Sequence, residues 1–232
     1  MIKEVITRLH RELPATVKLV AVSKFHPFEA IEEAYAAGQR IFAESRPQEL
    51  LSKCRRLEEI RIERGEPDYM SDLQWHFIGH LQTNKLKMVL PYVSLVQSVD
   101  SLRLLEAIQG WASANDRKVS VLLEPHVAAE ESKQGFAEEE ILDILFRAGS
   151  YSHINFCGLM GMATFTDDEE CARILPCALY VFVEELYRSD IPCDRKPNAF
   201  LEVYEKHILL NSYNCILLDN QKPTNAIIVY VF

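Results

Sequence analysis

A single-domain α/β fold, a (β/α)8 barrel of the TIM type, is what this sequence predicts, and three observations predict it. Short, β-branched apolar runs alternate six times with longer helical stretches, and repeated strand–helix units demand a parallel sheet because only crossover helices join parallel strands. The strand runs are apolar almost throughout, as strands covered on both faces are. The length of 232 residues suits one α/β barrel and is short for two full domains. An open doubly wound sheet would also accept six such units. Two further apolar runs near the end supply the seventh and eighth strands that a barrel requires, and they favour the barrel.

Each element has its own signal. Ile2 to Leu13 places Ile2, Val5, Ile6 and Leu9 on one helical face. Val17 to Lys24 reads as a buried strand, and Pro27 and Phe28 open a helix that Gly38 closes. Arg40 to Ser45 is a short strand, and Pro47 starts a helix to about Arg64. Strand three is Gln74 to His80, with a short helix around Lys85 to Leu90. Val93 to Val99 and Lys118 to Leu123 are strands four and five, each followed by a helix, Leu102 to Ala112 and Glu138 to Arg147. Ile154 to Ala163 is strand six and Glu169 to Arg188 its helix. The runs Ile208 to Leu218 and Ala226 to Phe232 are the candidates for the last two strands.

Composition narrows the function. Lys and Arg total 25 against 34 Asp and Glu, a formal net charge of −9. That balance excludes nucleic acid or an anionic membrane surface as the main partner, since both call for a basic field. No uninterrupted apolar run exceeds about ten residues, where a bilayer span takes roughly 20. The first residues alternate charged and apolar side chains without a signal peptide's apolar core. The six cysteines lack C-x-x-C spacing, so they read as reduced thiols of a cytoplasmic protein, with no metal site expected.

Among chemistry-bearing residues, Lys24 comes first. It ends strand one in Ala21-Val22-Ser23-Lys24-Phe25-His26-Pro27, where parallel α/β proteins put their sites. An amine held between apolar walls loses its proton more readily, and neutral lysine attacks aldehydes to give a Schiff base; a lysine snorkelling from the barrel mouth would occupy the same position. Trp75-His76-Phe77-Ile78-Gly79-His80 offers two histidines on one strand face, roughly 13 Å apart and too far to chelate one metal. One of them facing an aromatic cofactor, or simply hydrogen-bonded in place, fits equally. There is no G-x-G-x-x-G, P-loop or G-x-S-x-G motif. All eight glycines precede residue 162, so a backbone phosphate cradle is not expected in the last part of the chain. Ser132-Lys133 reads as a polar loop, and the acidic run Asp167 to Glu170 as a helix start.

These motifs, taken in order, resemble one family. Val20-Ala21-Val22-Ser23-Lys24, Phe42-Ala43-Glu44-Ser45 with Gln48-Glu49, Trp75 to Gly79, Leu81 to Lys85, Ser98-Val99-Asp100, Glu130 to Phe136 and Gly158 to Met162 are similar to the pyridoxal phosphate homeostasis proteins, single-domain barrels like the N-terminal domain of alanine racemase. The resemblance spans about residues 1–188. It implies pyridoxal 5′-phosphate (PLP) held as a Schiff base on Lys24, with Ser45 and His76 in the cofactor's surroundings and no catalytic residue assigned. Ser45 stands where the family's G-E-N motif has asparagine, and Ala43 stands for its glycine. The resemblance further implies a cytoplasmic, monomeric carrier or regulator of PLP without fast turnover, its partners being PLP itself and PLP-dependent enzymes or amino acids. A racemase-like enzyme is one alternative, and it would need a second acid/base on the opposite cofactor face, which alanine racemases take from an additional domain; a homologue that has lost tight PLP binding through its altered C-terminus is the other. The family's glycine-rich C-terminal segments, which grasp the phosphate, have no match after residue 188. Residues 189–232 are therefore expected to form a divergent end of the same domain, leaving the barrel incompletely closed and the phosphate weakly held.

Overall fold

The computed structural model describes residues 2–13, 17–126, 135–160, 198–199 and 226–231. Eight parallel strands form one sheet: β1 (Val17–Val22), β2 (Ile41–Glu44), β3 (Gln74–Phe77), β4 (Val93–Val99), β5 (Val119–Leu123), β6 (Ile154–Leu159), β7 (Asn198–Ala199) and β8 (Ala226–Val231). Their order is β7-β6-β5-β4-β3-β2-β1-β8. The order ends at β7 and β8, and no pairing joins these two among the described residues, in keeping with the incomplete closure expected. The helices are α1 (Ile2–Glu12), α2 (Phe28–Ala36), α3 (Pro47–Arg64), α4 (Leu86–Val89), α5 (Leu102–Ala114) and α6 (Glu138–Phe146).

Two separate apolar clusters show that the sheet curves. Alternate strand residues face opposite sides. Leu19, Ala21, Phe42, Phe77, Val96 and Val121 join Ile31, Leu50, Leu57, Leu105 and Ile144 of the helices in the outer core. Val20, Val22, Ala43, Ile78, Leu95, Leu122 and Met160 gather into a second, inner core. Residues from four strands, and those directly following β3 and β6, meet in one cluster only if the sheet wraps around them, as in a barrel.

Local signals set the boundaries. Pro47 occupies the start of α3, and Gly65 ends it in the left-handed region at φ 65°, the arrangement each residue favours. Ser101 caps α5, its Oγ accepting from the Leu104 N–H at 3.4 Å. Strands one and three stop earlier than their apolar runs suggest, at Val22 and Phe77, because the residues that follow turn away to build the rim. The strand at Asn198–Ala199 was not among the sequence expectations, whereas the one at Ala226–Val231 was. Gly161 and Ala163, the helix expected at Glu169–Arg188, the run Ile208 to Leu218, Ser132-Lys133 and the acidic cluster 167–170 lie outside the described residues.

Candidate functional site

Lys24 does not continue β1. It occupies the second position of a tight turn, Ser23 to His26, closed by the His26 N–H donating to the Ser23 carbonyl at 3.0 Å. The third residue, Phe25, has φ 66°, the mark of a type II turn, which ordinarily places glycine or asparagine there. A bulky residue in the left-handed region costs on the order of 1–3 kcal/mol and persists only where its surroundings impose it. Here they do. The Ser23 N–H donates to the Ala43 carbonyl at 3.0 Å, and the Phe25 N–H donates to Glu49 Oε2 at 3.0 Å. The Arg46 guanidinium lies 4.6 Å over the Phe25 ring. Lys24 itself is half-buried.

Register places the other expected residues. Val22 pairs with Ala43, and Ala43 with His76. Lys24 and Ser45, each two residues further on, therefore come from adjacent strand ends, and His76 stands one layer below on β3. Gly79 is pressed against the end of β2: a Cβ there would lie 2.0 Å from the Ser45 carbonyl oxygen, so only glycine fits. His76 is 4% exposed, and its Nδ1 is hydrogen-bonded to Gln97 Nε2 at 2.7 Å. Burial, with the Lys18 ammonium second, pushes its pKa down to about 3, so the ring is neutral at physiological pH. Gln97 is fully buried on the inner face, and its Oε1 has no hydrogen-bond partner among the described residues. His80 has left the strand: its Nδ1 bonds Asp100 Oδ2 at 2.9 Å. The expectation that His76 and His80 share a strand face is thereby corrected, since β3 ends at Phe77.

Two buried carboxylate sites flank these residues. Glu44 is fully buried at the end of β2, accepting from Ser23 Oγ at 2.6 Å and paired with the Lys53 ammonium. Lys53 Nζ also donates to the Ser23 carbonyl at 2.6 Å. Burial outweighs these partners and raises the Glu44 pKa. At the end of β5, Glu124 is 9% exposed, and burial followed by the charge of Asp100 raises its pKa to about 7. Asp100 is itself buried, with Ser101 Oγ donating to its Oδ1 at 3.0 Å. Sequence reasoning passed over Glu44, Lys53, Gln97, Asp100 and Glu124 as site-building groups. The signal for Lys53 was its spacing, since it falls among Leu50, Cys54 and Leu57 on the buried side of α3.

Among the described residues no cluster of His, Cys, Asp and Glu is arranged to hold a metal ion, and no described helix is long and apolar enough to cross a membrane. Cys54 and Cys157 are free thiols. A groove of about 610 Å³ between α2, α3 and α4, lined by Phe28, Gln48, Leu51, Arg55 and Met88 among others, lies on the helical side of the sheet and meets the strand-end residues at His26 and Lys53.

Comparison with known proteins fits this geometry to a family. The model of the alanine racemase N-terminal domain matches residues 2–179. The pyridoxal phosphate homeostasis protein of Aquifex aeolicus is 34% identical over 172 residues, 74% of this chain and 71% of that protein. The chain belongs to the pyridoxal phosphate homeostasis protein family. Within that family, the Haemophilus influenzae member is 35% identical over 66% of this chain and 61% of its own length, and the Homo sapiens member 33% identical over 72% and 60%. The chain thus matches somewhat under two thirds of the length of several of these relatives. PipY of Synechococcus elongatus, solved with PLP bound, superposes with a TM-score of 0.79 at 27% identity, covering 99% of this chain and 98% of that one. Alanine racemase from E. faecalis shares the fold alone, at 16% identity and a TM-score of 0.60 over 98% of this chain and 56% of that one.

The residues present suit such a family's cofactor. An amine on a strand-end turn, a neutral imidazole and an orphan amide oxygen within the barrel are a donor and acceptor set for an aromatic aldehyde bearing ring heteroatoms.

Proposed function

We propose that this protein is a PLP-binding protein of intracellular PLP homeostasis, which holds the cofactor on Lys24 and does not turn over rapidly. The observation that carries the reading is the placement of Lys24 at the carboxyl end of β1, in a hydrogen-bonded turn. The cofactor would supply an electrophilic aldehyde. Lys24 would hold it through its amine, since a neutral amine condenses with an aldehyde to a C=N bond with loss of one water. Ser45 and His76 are read as part of the cofactor's surroundings, with His76 contributing an uncharged ring to the site.

The same reading places the protein in the cytoplasm, as a monomer that exchanges PLP with PLP-dependent enzymes or reacts with amino acids. It assigns no second acid/base to the opposite cofactor face, so amino-acid racemisation is expected to be negligible.

Borohydride reduction of the protein mixed with PLP, followed by peptide mapping, tests the attachment. A pyridoxyl adduct on Lys24, lost in Lys24→Ala, is the expected result; an adduct on another lysine with Lys24 unmodified overturns it. Incubation of the loaded protein with L-alanine in deuterium oxide is the companion measurement. Rapid α-deuteration with loss of optical activity would overturn the non-catalytic reading.

A further inference from the structure

We propose that Glu49 is a positioning residue for Lys24, holding the strained Ser23–His26 turn in the one conformation that presents the amine to the barrel mouth. The inference rests on the reading of Lys24 as the attachment point and goes beyond it by naming what keeps the lysine in place.

The turn is unusual in its third residue. A type II turn needs φ > 0 there, which glycine adopts without a steric penalty and phenylalanine does not. Burial of Phe25 does little to compensate, because the residue is 68% exposed. The compensation comes from α3. Glu49 lies in the first turn of that helix, where the unsatisfied N–H groups favour a carboxylate. Its Oε2 accepts the Phe25 N–H at 3.0 Å, and its Oε1 faces Arg46 Nη1 at 3.4 Å. Arg46 in turn covers the Phe25 ring. A carboxylate anchored by its own helix therefore grips the backbone directly after Lys24. The backbone directly before it is gripped by Lys53 Nζ on the Ser23 carbonyl. Without the Glu49 contact, the peptide between Lys24 and Phe25 is free to flip, which takes Phe25 to φ < 0 and changes ψ of Lys24, and with it the rotamers open to the Lys24 side chain.

The strain makes the inference testable, because glycine at position 25 removes the need for the latch. Two readouts on the full-length protein separate the roles. One is competitive acetylation of Lys24 relative to the exposed Lys87 and Lys118, which needs no cofactor; the other is the yield of borohydride-trapped PLP on Lys24. Glu49→Ala is expected to change the Lys24 acetylation ratio and to lower the trapped yield at limiting PLP by about tenfold, equivalent to ~1.4 kcal/mol. Glu49→Gln, whose amide oxygen still accepts the Phe25 N–H, is expected to behave as the parent does. Phe25→Gly combined with Glu49→Ala is expected to restore both readouts, a non-additivity that loss of general stability would not produce. Phe25→Val approaches from the other side, since a β-branched residue resists φ > 0 more strongly, and it is expected to lower trapping with Glu49 intact. It also serves should Glu49→Ala fail to fold. Unchanged acetylation ratios in folded Glu49→Ala, or a defect that Phe25→Gly does not repair, would overturn the proposal. If the ratios follow the expected pattern but PLP is never trapped on Lys24, the positioning role stands and the cofactor reading falls.

Discussion

Glu44 at the end of β2 and Glu124 at the end of β5 face the same physical problem, a carboxyl group nearly removed from water, and meet it by different means. Glu44 has a buried cation beside it, a serine hydroxyl donating to it, and a helix that carries the cation into place. Glu124 has a second carboxylate, Asp100, as its electrostatic neighbour, and its pKa rises to about 7. The first arrangement sets a cation against the carboxyl group and ties β1, β2 and α3 together directly behind Lys24. The second places the carboxyl's pKa near physiological pH. The comparison teaches that one rim can combine a rigid side and a titrating side, set by whether a lysine or an aspartate is the neighbour.

The largest expected effect breaks the rigid side. Lys53→Met leaves Glu44 buried and uncompensated, with an expected loss of about 3–5 kcal/mol at neutral pH, measured by chemical denaturation. Acid should recover part of that loss by protonating Glu44, and the double variant with Glu44→Gln should recover most of it at pH 7. A loss equal at pH 5 and pH 8 would mean that packing, rather than charge, is what Lys53 supplies.

The next effect sharpens the titrating side. The Glu124 pKa is higher in the folded protein than its ordinary 4.5, so the folded state binds the extra proton. The stability that Glu124 contributes is full below about pH 4.5 and is lost as pH rises through about 7, up to ~3 kcal/mol in all. Glu124→Gln should therefore flatten the stability profile between those values, read from melting curves at a series of pH values. An unchanged slope would remove Glu124 as its source. His76 works in the opposite sense over an overlapping window: its depressed pKa means that stability is lost as pH falls from 6.5 toward 3, so the Glu124 variant must be compared with the parent rather than read alone.

The smallest effect concerns the partner of Asp100. The His80 side chain is 52% exposed, so His80→Ala is expected to change stability by less than about 1 kcal/mol, measured by denaturant titration. A larger loss would show that His80 belongs to the buried network rather than to its rim.

How much of this the sequence disclosed depends on which force dominates at each place. The limits of α3 were legible because Pro47 and Gly65 are conformational signals carried by single residues. Strand β4 was legible because its apolar run ends where its hydrogen bonding does. Strands β1 and β3 were read too long, because Ser23-Lys24 and Ile78-Gly79-His80 continue the motif after the ladder has ended. Composition does not record where backbone pairing gives way to a turn. Lys24, Ser45 and His76 were named from their motifs, and the structure brings them to neighbouring positions at and below the rim. The buried charges were not legible, because a glutamate or lysine in isolation is ordinarily a surface residue. Only the spacing of Lys53 on the helix indicated otherwise.

The pairing of β1 with β8 also bears on how the protein is made. The strand leading to Lys24 is flanked on one side by β2, close in sequence, and on the other by Ala226–Val231, contacts on the order of two hundred residues apart that are slow to find. During synthesis β1 therefore waits with one hydrogen-bonding edge open until that distant segment has left the ribosome. An open, apolar strand edge is a template for pairing with other chains. The strand leading to Lys24 is thus translated long before it is sealed, which lengthens the nascent chain's exposure to chaperones at that edge.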